Sequence, residues 1–166
     1  AIEALAGRFD TLSLDVAAGI GANQTAFAGA VPDTVVVINP EPLSMADAYA
    51  CLKVLSIEQG LRHAYVVPNR VASRMQADEI VQRLSSLVSR FLDVQLVALP
   101  AIPADSNVAE AAAHGVPLVV YRPDSPAARA IKAIARSLDT MSVPDEREGV
   151  ARLFWRKTFS GAKGES

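Results

Sequence analysis

Two hydrophobic patterns alternate along the chain. Nearly continuous apolar runs occur at Thr34-Val35-Val36-Val37-Ile38, Ala64-Tyr65-Val66-Val67, Val94-Gln95-Leu96-Val97-Ala98 and Pro117-Leu118-Val119-Val120-Tyr121, with an earlier run at Thr11-Leu12-Ser13-Leu14. Runs of this kind are expected of parallel strands buried on both faces. Helical spacing separates them. Ser44 to about Ser56 and Ser73 to about Leu92 read as helices, the second carrying Ala77, Ile80, Val81, Leu84, Leu87, Val88 and Phe91 on its apolar side. Ser73 and Gln76 form the sequence signature of a capping box. Val108 to His114 reads as a short helix closed by Gly115, and Ser125-Pro126 opens another, with Ala127, Ala130, Ile131, Ile134 and Leu138 on one face. Strands alternating with helices require right-handed crossovers and therefore a parallel sheet. The expected fold is α/β: a mainly parallel, twisted sheet with helices on both faces, spanning residues 1–139, followed by a tail at 140–166.

Composition narrows the function classes. Of 166 residues 51% are hydrophobic but only 5% aromatic, so the core must be built from Ala, Val, Leu and Ile. A net charge of -2 gives no electrostatic reason to expect a nucleic-acid partner. The single Cys51 excludes disulfide frameworks and cysteine-rich metal sites, and a cytoplasmic setting fits it. His63 and His114 have no ligand spacing around them and are expected to be structural. Ser44, Ser73 and Ser125 read as helix caps, with no nucleophile motif around any of them. The opening residues Ile2-Glu3-Ala4-Leu5-Ala6-Gly7 read as the end of a helix leading into a core strand. From that opening a missing upstream segment is expected.

Ligands of open parallel sheets bind beyond the carboxyl ends of the strands, so the residues after each strand are the candidates for chemistry. They are Asp15-Val16-Ala17-Ala18-Gly19-Ile20, Asn39-Pro40-Glu41-Pro42, Pro68-Asn69-Arg70 and Leu99-Pro100-Ala101-Ile102-Pro103-Ala104-Asp105. Asp15 is placed to hold a Mg²⁺-bound water, and Gly19 would let a backbone N–H approach a phosphate. Each also has a plain structural reading. Asp15 would cap the next helix, Gly19 would serve a tight turn, Asn69 would be a turn residue, and Glu41 a solvated acid leading a helix.

In order and spacing, the motifs from Phe9 to Leu138 resemble the C-terminal half of MinD/ParA-type P-loop ATPases (a SIMIBI-like fold). Within that family the stretch Asn39-Pro40-Glu41-Pro42-Leu43-Ser44-Met45-Ala46-Asp47-Ala48-Tyr49 is most similar to the flagellar-number regulators of the FlhG/FleN group. Arg83-Leu84, Arg90-Phe91-Leu92, Ile102-Pro103-Ala104-Asp105 and Ser125-Pro126-Ala127-Ala128-Arg129 extend the match. The resemblance implies that Asp15 is the Walker B acid and Gly19 the switch II glycine. It implies that Asn69 and Arg70 lie beside adenine, with Pro103 and Asp105 on the other side of the base. Glu41 takes the place of a contact across a nucleotide-joined homodimer. ATP and Mg²⁺ are thereby implied for a full-length parent that regulates flagellar number or cell-pole placement together with a flagellar or polarity protein. Departures are clear: Val16 and Ala17 stand where Ser or Thr and Pro or Gly are usual, and no Lys-Gly-Gly-x-Gly-Lys loop occurs in these residues. This chain alone is therefore expected neither to hydrolyse ATP nor to need a cofactor. The competing reading is a non-catalytic α/β interaction module that has lost its phosphate site.

The tail has its own character. Between Val150 and Lys163, Arg152, Arg156, Lys157 and Lys163 interleave with Leu153, Phe154, Trp155 and Phe159 without one acid. A peripheral membrane helix using Leu153, Phe154, Trp155 and Arg156 is one expectation, similar to the tails of MinD-type proteins; a last helix packed on the domain is the other. Trp155 is the only tryptophan. Anionic vesicles should shift its fluorescence to the blue and high salt should weaken the shift; an unchanged spectrum would favour the packed helix.

Overall fold

The computed structural model describes residues 13–16 and 33–140. Elements run in the order β1 (Val35–Ile38), α1 (Pro42–Gln59), β2 (His63–Val71), α2 (Arg74–Phe91), β3 (Gln95–Ala98), β4 (Ile102–Pro103), α3 (Asn107–Ala113), α4 (Leu118–Tyr121) and α5 (Pro126–Thr140). The long strand β2 is the hub of the sheet. It pairs with β1 on one edge, with Ile38 beside Pro68 at the end of the ladder. It also pairs with β3 from His63 to Val66, and with β4 at Asn69 and Val71. Every pairing is parallel. The architecture is thus α/β with a parallel sheet, as the alternating pattern predicts.

Local chemistry sets the helix boundaries. Helix α1 begins with Pro42 in its first turn, where the missing N–H costs nothing, and ends on Gly60 at φ 70°, whose N–H returns to the carbonyl of Leu55. It therefore starts ahead of Ser44, which is not its cap; the Ser44 hydroxyl instead accepts the N–H of Asn39 at 3.0 Å. Helix α2 has Ser73 as its cap, accepting from Gln76 N at 3.2 Å, while Gln76 Oε1 accepts from Ala72 N at 2.7 Å. The reciprocal bond lands one residue before the cap, a close variant of the expected box. The Ser125 hydroxyl caps α5 through Ala128 N at 3.2 Å.

The main core lies on one face of the sheet. Ala48 and Leu52 of α1 and Ala77, Ile80, Leu84 and Val88 of α2 cover Val36, Ile38, Ala64 and Val66. Alternate residues of β1 point away, and Val37 is 56% exposed. This differs from the doubly buried strand expected there. The handedness rule supplies the reason: consecutive right-handed crossovers that step in one direction, β1 to β2 to β3, place both connecting helices on the same side.

Two further expectations are corrected. Pro117-Leu118-Val119-Val120-Tyr121 is not a strand; Leu118–Tyr121 is one turn of helix, with Tyr121 N and Val120 N both bonded to the Pro117 carbonyl and Val120 68% exposed. Ser13 and Leu14 belong to no strand. The rest of that expected run, Thr11 and Leu12, lies outside the described residues, as do the opening helix end, Gly19 and the tail with Leu153, Phe154, Trp155 and Arg156.

A backbone irregularity interrupts β2. Asn69 pairs with Ile102 and Val71 with Pro103, so Arg70 is an extra residue, and it adopts φ 56°. By simple alternation Arg70 would share the face of Val66 and Pro68, against α1 and α2, and Val71 would point outward. The bulge exchanges them: Val71 is 4% exposed and joins the core, while Arg70 is turned out to solvent. A left-handed conformation costs an L-residue about 1–2 kcal/mol. In urea titrations Arg70→Gly should therefore keep or raise stability, whereas Arg70→Val, β-branched at positive φ, should lower it by roughly 1–2 kcal/mol. Equal stability of the two variants would contradict the bulge.

Candidate functional site

The register brings three residues side by side: Asn39 just past the carboxyl end of β1, Asn69 near the carboxyl end of β2 and Ile102 at the start of β4. Asn39 is the residue after Ile38, the last partner of Pro68, so the next position on β2 beside it is Asn69, which in turn pairs with Ile102. Asn69 Nδ2 donates to Asn39 Oδ1 at 3.1 Å. Both amides are half-buried, on the odd-numbered side of the strands that α1 and α2 do not cover. Asn39 is itself fixed through its main-chain N–H by Ser44 at the start of α1. The result is a pair of amides with an aliphatic neighbour, held by three strand ends rather than by a mobile loop.

Around this row the other candidates take distinct positions. Arg70, at the bulge, lies 3.8 Å from Glu41, the residue that precedes α1, with both side chains more than half exposed. At that distance and exposure the pair contributes little to stability. Glu41 makes no capping hydrogen bond, so it is a solvated acid leading the helix, held loosely toward the bulge. Pro103 is half-buried in β4. Asp15 is exposed and outside regular secondary structure, and among the described residues no hydrogen bond or ion pair joins it to this row.

Asp105 follows β4 and is engaged within the fold. Its Oδ1 accepts from Asn107 N at 3.0 Å and Asn107 Nδ2 at 2.7 Å, and its Oδ2 accepts from Ala127 N at 3.1 Å. One carboxylate thus caps the first turn of α3 and the first turn of α5, and the negative charge also suits both helix dipoles. The Ala127 N–H, then the Asn107 side chain, with smaller help from Asn107 N and Ser125, hold its carboxyl down to about 2 against a small opposing effect of desolvation.

Asn39 stands among the strand-end candidates of the sequence, expected along one edge of the sheet with Asp15, Asn69 and Pro103, whereas Ile102 joins the candidate site with no role assigned to it there. The signal that marks Asn39 is its place directly after a strand; Ile102 has no polar signature at all and is identified only by pairing. In the described geometry both histidines make contacts within the fold. His63 starts β2 with Nε2 3.5 Å from Asp33 Oδ1, and His114 stacks on Tyr121 with ring centroids 5.2 Å apart. Burial pushes the Cys51 thiol up, away from the reactive thiolate.

The Asp105 clamp has a testable pH signature. A carboxyl whose folded value is depressed stabilises the fold above its unfolded value and loses that contribution as pH falls toward about 2. Asp105→Asn should lower the melting temperature at neutral pH, because one amide oxygen cannot cap two helices. The gap from the parent chain should narrow as pH drops below about 4. A gap independent of pH would show that the charge is not what matters.

Comparison with known proteins follows the same outline. Residues 1–138 match the protein family described as Cellulose biosynthesis protein BcsQ. Antiactivator FleN of Pseudomonas aeruginosa is 31% identical over 150 residues, covering 90% of this chain and 54% of that protein. An uncharacterized ATP-binding protein of Methanocaldococcus jannaschii is 33% identical over 139 residues, 82% of this chain and 49% of that protein. The flagellum site-determining protein YlxH of Helicobacter pylori is 27% identical over 159 residues, 93% of this chain and 53% of that protein. The chain spans about half the length of the curated relatives it matches. With the ordered motifs, the parallel sheet and a family match over most of its length, the chain belongs to the MinD/ParA-type family.

Proposed function

We propose that this chain is the base-recognising half of a MinD/ParA-like regulator of flagellar number or cell-pole placement, in which ATP switches dimerisation. The observation that carries the reading is the row Asn39, Asn69 and Ile102 at the strand ends. An amide that offers both a donor and an acceptor beside an aliphatic side chain fits the edge and face of a purine base. Arg70 and Pro103 flank that edge, and the Asp105 clamp supports it by fixing the segment after β4 to α3 and α5. The names of the FleN and YlxH relatives and of the ATP-binding relative from Methanocaldococcus jannaschii support a nucleotide-linked and flagellar assignment for the parent.

The phosphate side is different. Asp15 and Gly19 are the residues of this chain that would serve Mg²⁺ and the terminal phosphate, but the lysine-bearing glycine loop is not among the 166 residues. Nucleotide phosphates would find no compensating cradle here, so the catalytic step belongs to a parent carrying that loop. Glu41 as a dimer contact and the tail residues Leu153, Phe154, Trp155 and Arg156 as a membrane contact are parts of the same proposal. Among the described residues no helix is long and apolar enough to cross a membrane. The second reading, an interaction module without nucleotide, is favoured by Val16 and the absent loop.

Titration with nucleosides separates the two. Millimolar adenosine should shift the backbone amide resonances of Asn39, Asn69 and Ile102, and Asn69→Ala should abolish the shifts. Mg²⁺-ATP should bind this chain no more tightly than adenosine. An edge that no nucleoside perturbs would favour the interaction module, and markedly tighter ATP binding would contradict the missing phosphate side.

A further inference from the structure

We propose that Arg129, Lys132 and Arg136 form a docking stripe for an acidic peptide, and that in this chain its occupant is the segment Asp145-Glu146-Arg147-Glu148 folded back along α5. The docking needs no nucleotide. The three cations recur at spacings of three and four, so they lie on one side of α5, opposite Ala127, Ile131, Ile134 and Leu138. Arg129 and Arg136 are exposed and Lys132 is half-buried. Among the described residues none of the three forms an ion pair. Arg129 Nη1 and Lys132 Nζ donate instead to main-chain carbonyls, Asp124 O at 2.7 Å and Pro123 O at 2.9 Å. Those bonds fix two of the cations without neutralising them. Asp124 and Asp139, the acids between 122 and 140, form no ion pair with the stripe either. Arg129 also closes the first turn of α5, where the helix dipole disfavours positive charge. A negative partner along this side answers both deficits.

The chain itself supplies the matching anion. Beyond α5, Asp145, Glu146 and Glu148 stand with one cation, Arg147, ahead of the acid-free run that begins at Val150. The segment lies outside the described residues, but its distance from α5 in sequence limits where it can go. Six steps from Thr140 to Glu146 reach at most ~20 Å, whereas Arg136 lies only about 6 Å back along the helix from Thr140. So short a connection holds the acids at high effective concentration beside the stripe. The spacings also match. On an extended chain Glu146 and Glu148 share one side about 6–7 Å apart, and Lys132 and Arg136 are about 6 Å apart along the helix. Returning antiparallel to α5, Glu146 meets Arg136 and Glu148 meets Lys132, while alternation turns Arg147 away from the cations. Two acids on two cations of one helix form a network, which counts for more than an isolated surface pair. The basic, aromatic run after Val150 then begins beside the first turn of α5.

Carbodiimide, which joins an ammonium to a carboxylate in contact with it, tests the pairing on the whole chain. A cross-link between Lys132 and Glu146 or Glu148 should form within one chain and be lost in about 1 M salt, where exposed charges are screened. Nuclear magnetic resonance gives a second measure. Glu146→Gln with Glu148→Gln should move the α5 amides around Lys132 and Arg136 and leave those of α2 in place. Arg136→Glu should move the same amides, and adding Glu146→Arg to that variant should restore them, which a merely structural arginine would not allow. Absence of the cross-link together with unmoved α5 amides would overturn the proposal. So would a link from these glutamates to Lys157 or Lys163 in place of Lys132, because the acids would then serve the tail. A link found only between chains, in a mixture of isotope-labelled and unlabelled protein, would make the occupant a second copy. Amides that ignore both glutamates but move with anionic vesicles would assign the stripe to lipid, and either result refutes docking within the chain.

Discussion

The structure depends on one strand having to do two things along its length. From His63 to Pro68, β2 must bury alternate residues against α1 and α2; at Asn69 it must turn an amide toward Asn39 and then carry on beside β4. Strict alternation cannot satisfy both, because the residue after Asn69 is an arginine that would enter the core. The left-handed backbone at Arg70 resolves the conflict by adding one residue, returning Val71 to the core and expelling the guanidinium. The unusual conformation is sustained because the surrounding pairings over-determine it, and it sits where the candidate site is assembled.

A second constraint comes after β4, where two helices separated in sequence, α3 and α5, begin beside the same carboxylate. Their unsatisfied N–H groups converge on Asp105, which accepts from Asn107 of α3 and Ala127 of α5. One residue thereby links segments 22 positions apart in sequence. The link ties α5 to the strand ends, so the row of Asn39, Asn69 and Ile102 is backed by fixed structure on its β4 side. It also explains why an acidic residue after Ile102-Pro103 serves architecture as well as any ligand: both of its oxygens are already engaged.

Sheet direction accounts for what remains open. Three strands in simple sequence put α1 and α2 together on one side, so the face bearing Val35, Val37 and Val97 stays partly exposed among the described residues. An apolar run such as Val35-Val36-Val37-Ile38 reads as a doubly buried strand, yet only its even positions are covered here. The amide row shares that less covered face with Val37, which is why it is reachable by a ligand at all.

Much of this molecule was written locally in its residues. The α/β alternation, helix α2 with its Ser73 cap and the α5 start at Ser125-Pro126 all follow from periodicity and end chemistry, which act over a few neighbouring residues, whereas β2 runs past the expected end at Val67 through Asn69 to Val71, and Pro103 lies in a strand, β4, that the pattern does not show. The failures share another cause. Pro117-Leu118-Val119-Val120-Tyr121 has strand composition, but a short apolar run carries no period that tells a strand from a turn of helix, and packing beside α3 and α5 decides for helix. Likewise Ser44 serves Asn39 rather than its own helix, Ile102 joins the amides, Asp105 spans two helices, and Arg70 leaves the register. Each of these depends on residues brought together by strand pairing from distant parts of the chain. Sequence determined most of the elements; the tertiary structure decided the helical turn at Leu118–Tyr121 and, by setting register across β2, which side chains meet.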